Sequence, residues 1–351
     1  MRFGTLIMLL AVCAQAAELR WIAPGELEVA GLPWFRENGG EFWRLPSRLE
    51  KTFPAAVWNL AQSPSGARIR FRTDSAAVAV RLEYPSAPNM RNMHAFGQTG
   101  VDLYLDGRYK GTAIADAEAR PGKVYEQVWN AGSAGRMREC TLYLSLYKPV
   151  KVIAVGVEKD AKVEKARPYA LPKPVVFYGT SITQGGCASR AGMSYQAILE
   201  RTLNIDFVNL GFSGNGKGEP EVARAVAEID AACFVLDFAQ NNRVVESLEK
   251  VYAPFMETLR ARHPDTPIVA ITPIYSTGSG GAAEAMRAHI RKVVSARIAA
   301  GDLRLQLVEG TDLLGPARGD GLVDGTHPND LGFRWMAEGL AERLRKFLAL
   351  P

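Results

Sequence analysis

Cysteine and histidine are scarce in this chain, four of each among 351 residues. No Cys-x-x-Cys pair occurs, and His94, His263, His289 and His327 share no ligand spacing, so the sequence gives no reason to expect a zinc site, a redox dithiol or any other cofactor. A phosphate-cradling Gly-x-x-x-x-Gly-Lys-Ser/Thr loop is also missing. Charge of one sign is nearly balanced by the other: 42 Lys and Arg against 37 Asp and Glu leave a formal +5, spread along the chain. Without a basic stripe and interleaved aromatics, nucleic acid is a poor partner. No apolar run approaches the roughly 20 residues of a membrane span.

The longest apolar run lies at the start. Arg2 precedes residues 3–14, and Ala14-Gln15-Ala16 closes the stretch with a small-x-small cleavage pattern. Residues 1–16 therefore read as a signal peptide, and the protein as exported to a periplasmic or extracellular space. Export leaves Cys140, Cys187 and Cys233, an odd set in which at least one thiol stays free. Cys140 and Cys233 sit in apolar runs, as small buried residues do.

Periodicity divides the rest in two. Over 17–165, short alternating runs such as Arg68-Ile69-Arg70-Phe71-Arg72 and Ala77-Val78-Ala79-Val80-Arg81-Leu82 are separated by turn residues, with Asp106-Gly107 as a tight-turn pair. Many short strands and no helical stretch predict an antiparallel β-sandwich, jelly-roll-like in kind. Residues 166–174 carry Pro168, Pro172 and Pro174, which suits a stiff, extended linker. Over 175–351, strands near 175–178, 205–210, 233–238, 267–272 and 304–309 alternate with helices near 193–203, 219–230, 245–262, 282–300 and 330–348. That alternation predicts an α/β domain with a flavodoxin-like, doubly wound, parallel five-stranded sheet.

The chemistry gathers in the second half. Val175-Val176-Phe177-Tyr178 is a buried-strand run, and Gly179-Thr180-Ser181 follows it into a Gly-rich loop, where an open α/β sheet meets its ligands. Gly211-Phe212-Ser213-Gly214-Asn215-Gly216 and Asp237-Phe238-Ala239-Gln240-Asn241-Asn242 each follow another apolar strand. Asp324-Gly325-Thr326-His327 places a carboxylate and an imidazole three residues apart, just before the last helix. A nucleophile, a base and an orienting acid are what acyl transfer requires, and Ser181, His327 and Asp324 fill those roles. An ordinary loop serine and a histidine abutting a helix are the plain alternatives for any one block by itself.

The four blocks in this order resemble the SGNH (GDSL-type) serine hydrolases from about Lys173 to the C-terminus. Gly179-Thr180-Ser181 stands where that family usually has Gly-Asp-Ser. The resemblance implies an oxyanion hole made by the Ser181 N–H, Gly214 and Asn241, with Asn242 as the alternative because the family's Gly-x-Asn-Asp reads Ala239-Gln240-Asn241-Asn242 here. Gly100-Val101-Asp102-Leu103-Tyr104 is similar to the Gly-x-Asp-Leu-Tyr signature of a sandwich module that precedes one SGNH subgroup. That combination looks like the carbohydrate acetylesterases and implies an exported esterase removing small acyl groups, chiefly acetyl, from an acylated carbohydrate. A lipid, lysophospholipid or aryl esterase is the rival enzyme, and an inert glycan-binding protein the rival of another class. Thr180, Asn242, Tyr275 and His94 are the candidate substrate contacts, the last because residues 90–97 form a loop able to reach the site. Cys187, in the loop after Ser181, is the rival nucleophile. Asp237, inside an apolar strand, reads as a structural carboxylate held by backbone donors.

Overall fold

The computed structural model describes residues 18–278 and 280–350. The expected signal peptide, 1–16, lies outside the described residues, and among them no helix is long and apolar enough to cross a membrane.

Alternation of apolar side chains sets up the first half. One antiparallel sheet runs Leu19–Ile22, Lys151–Glu158, Ala77–Glu83, Val124–Asn130 in spatial order. The other runs Val163–Glu164, Arg68–Thr73, Arg138–Tyr143, Val101–Leu105, Arg108–Ala113, and Glu28–Ala30 also pairs with Arg68–Thr73. Val78, Val80 and Leu82 from the first sheet meet Ile69, Phe71, Leu103 and Leu142 from the second in one apolar core. Asp106 and Gly107 both take positive φ, 49° and 74°, as the hairpin pair requires. Two short helices that the alternation did not disclose, Ala55–Ala61 and Ala95–Thr99, complete this half. Segments so short have no stable helical state of their own and are held by what they pack on.

The second half is a five-stranded parallel sheet in the order Phe207–Gly211, Val175–Gly179, Cys233–Asp237, Ile268–Ile271, Leu305–Val308. This is the predicted flavodoxin-like order, with the reversal between the strands that start at Val175 and Cys233. Val176, Tyr178 and Leu210 face one apolar layer with Val222, Leu259 and Ile290. Val175, Phe177 and Val235 face the other with Ile198, Met336 and Leu340. The single helix expected over 245–262 is two, Val245–Glu249 and Tyr252–Arg262. Pro254, in the first turn of the second, has no N–H to bond the carbonyl of Lys250, so the chain restarts there.

The linker is not free. Tyr169 lies under the Arg70 guanidinium at 3.7 Å, Ala170 N–H donates to Asn204 O, and Arg167 N–H donates to the Glu139 carboxylate. Asp102, wholly buried, accepts from Thr112 Oγ1, Gly192 N–H and Arg190 Nη1. The Tyr104 hydroxyl meets Arg190 as well. The acid and the tyrosine of the Gly-x-Asp-Leu-Tyr segment thus grip the loop behind Ser181.

Residues 33–63, though early in sequence, pack on the α/β half: Trp34, Leu45, Val57 and Trp58 share a core with Val208, Val222 and Val226. The outer strand, Phe207–Gly211, turns alternate carbonyls toward this segment. Buried Arg44 donates to Asn209 O at 3.1 Å and Gly211 O at 2.6 Å, and also to Leu60 O and Ser63 O. Arg68 donates to Phe207 O at 3.1 Å and pairs with Asp206. Burial pushes the Arg44 guanidinium down to about 9, which leaves it cationic at neutral pH. Replacing Arg44 with Met strips Asn209 O, Gly211 O and Ser63 O of this donor, while Leu60 O keeps the N–H of Ser63, and should lower unfolding stability by roughly 3 kcal/mol. Lys should recover only part of that, because an ammonium cannot span four acceptors. Denaturant melts of the two variants measure it, and an unchanged midpoint for Arg44→Met would remove this account.

Asp237 ends the central strand and is buried. Thr183 Oγ1 (3.2 Å), Tyr195 OH (3.4 Å) and Gln240 Nε2 (3.4 Å) donate to it, so side chains rather than the expected backbone groups hold it. Burial pushes its carboxyl from 3.8 up to about 7, against the pull of those donors. The folded protein therefore keeps a proton that the unfolded chain releases, and this contribution to stability is full at low pH and lost as pH rises to about 7. Asp237→Asn should flatten the pH dependence of stability across that window, read as melting temperature against pH. A parent protein with no decline there would contradict the assignment.

Candidate active site

Gly179 closes the first strand of the parallel sheet where no side chain fits: a Cβ would stand 2.0 Å from Thr183 Oγ1 and 2.5 Å from Asp237 O. The chain then turns at once into a short helix, Ser181–Gln184. Thr180 is its N-cap, buried, with its hydroxyl accepting from Ile182 N–H at 3.2 Å. It therefore serves the backbone and does not face a substrate, contrary to expectation. Ser181 occupies the first helical position, so its N–H has no partner within the helix.

His327 comes from the segment before the final helix, Asp330–Phe347, whose N-cap is Asn329. Its Nε2 is 2.9 Å from Ser181 Oγ. Its Nδ1 is 2.8 Å from Asp324 Oδ2 and 3.1 Å from Oδ1. Asp324 Oδ1 also accepts from the N–H groups of Thr326 (3.1 Å) and His327 (2.9 Å), and Oδ2 from Asn92 Nδ2 (3.0 Å). Partial burial opposes ionisation of Asp324, but the His327 N–H, the Asn92 amide and the imidazole together hold its carboxyl well below the usual range. Serine, imidazole and carboxylate thus form one unbroken hydrogen-bonded line.

Gly214 has φ +68°, a conformation that favours glycine, and a Cβ there would meet open space. Among the described residues nothing accepts from its N–H. Asn241 is close by, but its Nδ2 donates to Phe212 O (3.1 Å) and Gly216 O (3.2 Å), the carbonyls on either side of the Gly214 turn. Both amide protons are therefore committed to holding that turn. Asn242 is buried and directs its amide at Phe238 O, inside its own short helix, which removes it from the site.

The other expected contacts also move. His94 caps the helix Ala95–Thr99, with Nδ1 accepting from Phe96 N–H at 3.3 Å. From the same loop it is Asn92 that reaches the site, and nothing in the sequence distinguishes the two. Tyr275 turns back onto the core around Leu314 and Phe333, while its neighbours Ile274 and Ser276 line a cavity of about 410 Å³. That cavity begins at Ile182 and Thr326, next in sequence to Ser181 and His327, and runs past Pro273 and Ala283 to Met286.

Two further residues escaped sequence reading. Tyr147 OH donates to Ser181 O at 3.2 Å. Gln184 accepts from Ser213 N–H (2.9 Å) and donates to Leu146 O (3.1 Å), tying the Ser181 helix to the Gly214 loop and to the sandwich. Cys187 is buried at φ +71°, and its Sγ is 3.1 Å from Asn92 O. Burial, then the charge of Asp324, pushes its thiol up to about 12, so no nucleophilic thiolate forms near neutral pH. Cys187, Asp324 and His327 bring ligand-type atoms within 4.8 Å of one another, but each is already engaged in the contacts above.

Comparison with known proteins accords with this geometry. Residues 172–345 match the model of the GDSL-like lipase/acylhydrolase family, and residues 19–163 match the Gly-x-Asp-Leu-Tyr N-terminal module of SGNH-type esterases. A putative GDSL-like lipase from Bacteroides ovatus is 33% identical, with a TM-score of 0.84 over 95% of this chain and 99% of that one. A salicylyl-acyltransferase from a tetracycline biosynthetic pathway is 24% identical, at 0.78 over 94% and 97%. A family two carbohydrate esterase from Clostridium thermocellum, in complex with cellohexaose, is 17% identical, at 0.63 over 81% and 93%. No curated protein sequence matches the chain. With a family-wide fold, the module expected ahead of it and an extended match at this identity, the chain belongs to the GDSL-like lipase/acylhydrolase family of SGNH-type esterases.

Proposed function

We propose that the protein is an exported serine esterase that releases small acyl groups, acetyl first among them, from carbohydrate hydroxyls through an acyl-enzyme. The observation that carries the reading is the line from Ser181 Oγ through His327 to Asp324, 2.9 Å and 2.8 Å. In this reading His327 Nε2 takes the Ser181 proton as Oγ attacks the ester carbonyl, and Asp324 steadies the imidazolium. The N–H groups of Ser181 and Gly214 receive the developing oxyanion. Collapse expels the alcohol, which takes the proton from His327, and water then repeats the sequence on the acyl-enzyme. Asn241 fixes the Gly214 turn from beneath. A purely glycan-binding role would leave this alignment without a use. The carbohydrate class comes from the family resemblance and from fold neighbours described as carbohydrate esterases.

One observation favours the second reading, an aryl or lipid esterase: the cavity past Ile182 is far larger than an acetyl group and is walled by Ile274, Ala283 and Met286. Each methylene buried there would contribute about 0.8 kcal/mol.

Ser181→Ala should abolish ester hydrolysis without unfolding the protein, and a fluorophosphonate adduct should map to Ser181. His327→Ala should fall nearly as far, since the two act as a unit. Asn241→Ala should cost about 10²-fold in kcat with little change in KM, because it releases the turn that aims the Gly214 N–H at the developing oxyanion. An active His327 variant, or an adduct on another serine, would sink the mechanism. A p-nitrophenyl ester series separates the two acyl classes. Fast acetate cleavage supports the first; preference for butyrate, hexanoate or benzoate, lost on filling the cavity with Ala283→Leu, supports the second.

A further inference from the structure

We infer that Asn92, carried by the sandwich, is a positioning residue of the hydrolase: its amide holds the Asp324 carboxylate against the His327 ring, so the catalytic line is assembled from both halves of the chain. The inference rests on the serine-hydrolase reading above.

Asp324 receives donors of two origins. Its Oδ1 is fixed by the N–H groups of Thr326 and His327, within its own turn. Oδ2, the oxygen nearer the imidazole, has one further donor, Asn92 Nδ2 at 3.0 Å, from 232 residues away in sequence. A neutral amide suits that place. It orients the carboxylate without cancelling the charge that the imidazolium needs, whereas a lysine would neutralise it and an aspartate would repel it.

Asn92 is itself held. The Cys187 thiol donates to its carbonyl at 3.1 Å, from a residue kept at φ +71°, where non-glycine residues are uncommon. Gln98 accepts from the N–H groups of Asn89 and Met90 and donates to the carbonyls of Met90 and Met93. Met93 is buried in the same core as Ile182 and Ala188. Gly97 lies so close to the loop after Ser181 that a Cβ would stand 2.2 Å from Ala188 O. The loop bearing Asn92 is therefore docked on the loop bearing the nucleophile. Two titratable groups near Asp324 stay neutral, since burial raises both the Cys187 thiol and the Tyr147 hydroxyl, and Asp330, in the following helix, is bound by Ser189.

The test uses the full chain, p-nitrophenyl acetate, and kcat and KM across pH. Asn92→Ala should lower kcat about tenfold with KM nearly constant, the size expected of one solvent-facing bond to a charged group. A fall in kcat at constant KM is a split that a merely structural contact would not produce, and Asn92→Asp, which places a second carboxylate beside the first, should move the acid limb of the kcat/KM profile to higher pH if residue 92 sits against the His327–Asp324 pair. Both variants keeping the parent's kcat and profile would overturn the inference. So would a fall in kcat that only tracks loss of folded protein by circular dichroism. If the parent itself hydrolyses no ester, the proposed function fails while this inference remains testable. An NMR titration of His327 should then still show a higher midpoint in Asn92→Asp, and an unmoved midpoint overturns it.

Discussion

The outer strand of the parallel sheet cannot end in water without cost, and the rest of the molecule is arranged around that constraint. Phe207, Asn209 and Gly211 point their carbonyls away from the sheet, and two arginines of the N-terminal half take them: Arg68 the first, Arg44 the other two. An uncovered strand edge is a template for aggregation, and a buried carbonyl without a donor is costly. Covering the edge with a guanidinium that also gathers Leu60 O and Ser63 O folds residues 33–63 onto the hydrolase sheet. The same strand leads directly into Phe212, Ser213 and Gly214, so the edge that needs covering also carries one wall of the site.

From that docking the geometry of the site follows. With the sandwich fixed on the sheet, Tyr147 reaches the Ser181 carbonyl and Gln184 reaches back to Leu146. Asp102 holds Gly192 and Arg190 behind the nucleophile loop. On the far side Asp330 takes Ser189, joining that loop to the start of the helix that follows His327. Ser181 and His327 come from opposite ends of the α/β half, and each is braced by several weak bonds. The proposed acyl transfer would depend on such preorganisation, since displacing a donor by an ångström costs rate more than stability.

Much of this was legible beforehand. The five strands and their order follow from short apolar runs alternating with amphipathic helices, because a parallel strand is buried on both faces and shows it in composition. Ser181, Asp324 and His327 stood out because each sits at a strand or helix boundary in a recognisable block. The failures share a cause. Thr180 and His94 are polar residues beside a functional loop, and both turned out to cap short helices, a local use that sequence does not separate from ligand contact. Tyr275 lies in an extended stretch where alternate side chains diverge, so a one-residue error in phase exchanged it for Ile274 and Ser276.

By itself, then, the sequence determined the two-part architecture, the parallel sheet with its reversal point, and the three residues, Ser181, Asp324 and His327, that the fold brings into one hydrogen-bonded line. These are properties of local pattern, written in periodicity and in side chains that only one chemistry uses together. Tertiary structure alone decided that Arg44 and Arg68 close the sheet edge, that Asn241 spends both amide protons beneath the Gly214 turn, and that Asn92 rather than His94 meets Asp324. Each of these depends on which carbonyl or carboxylate lies within 3 or so ångströms after two halves have docked, a distance that no spacing along the chain encodes.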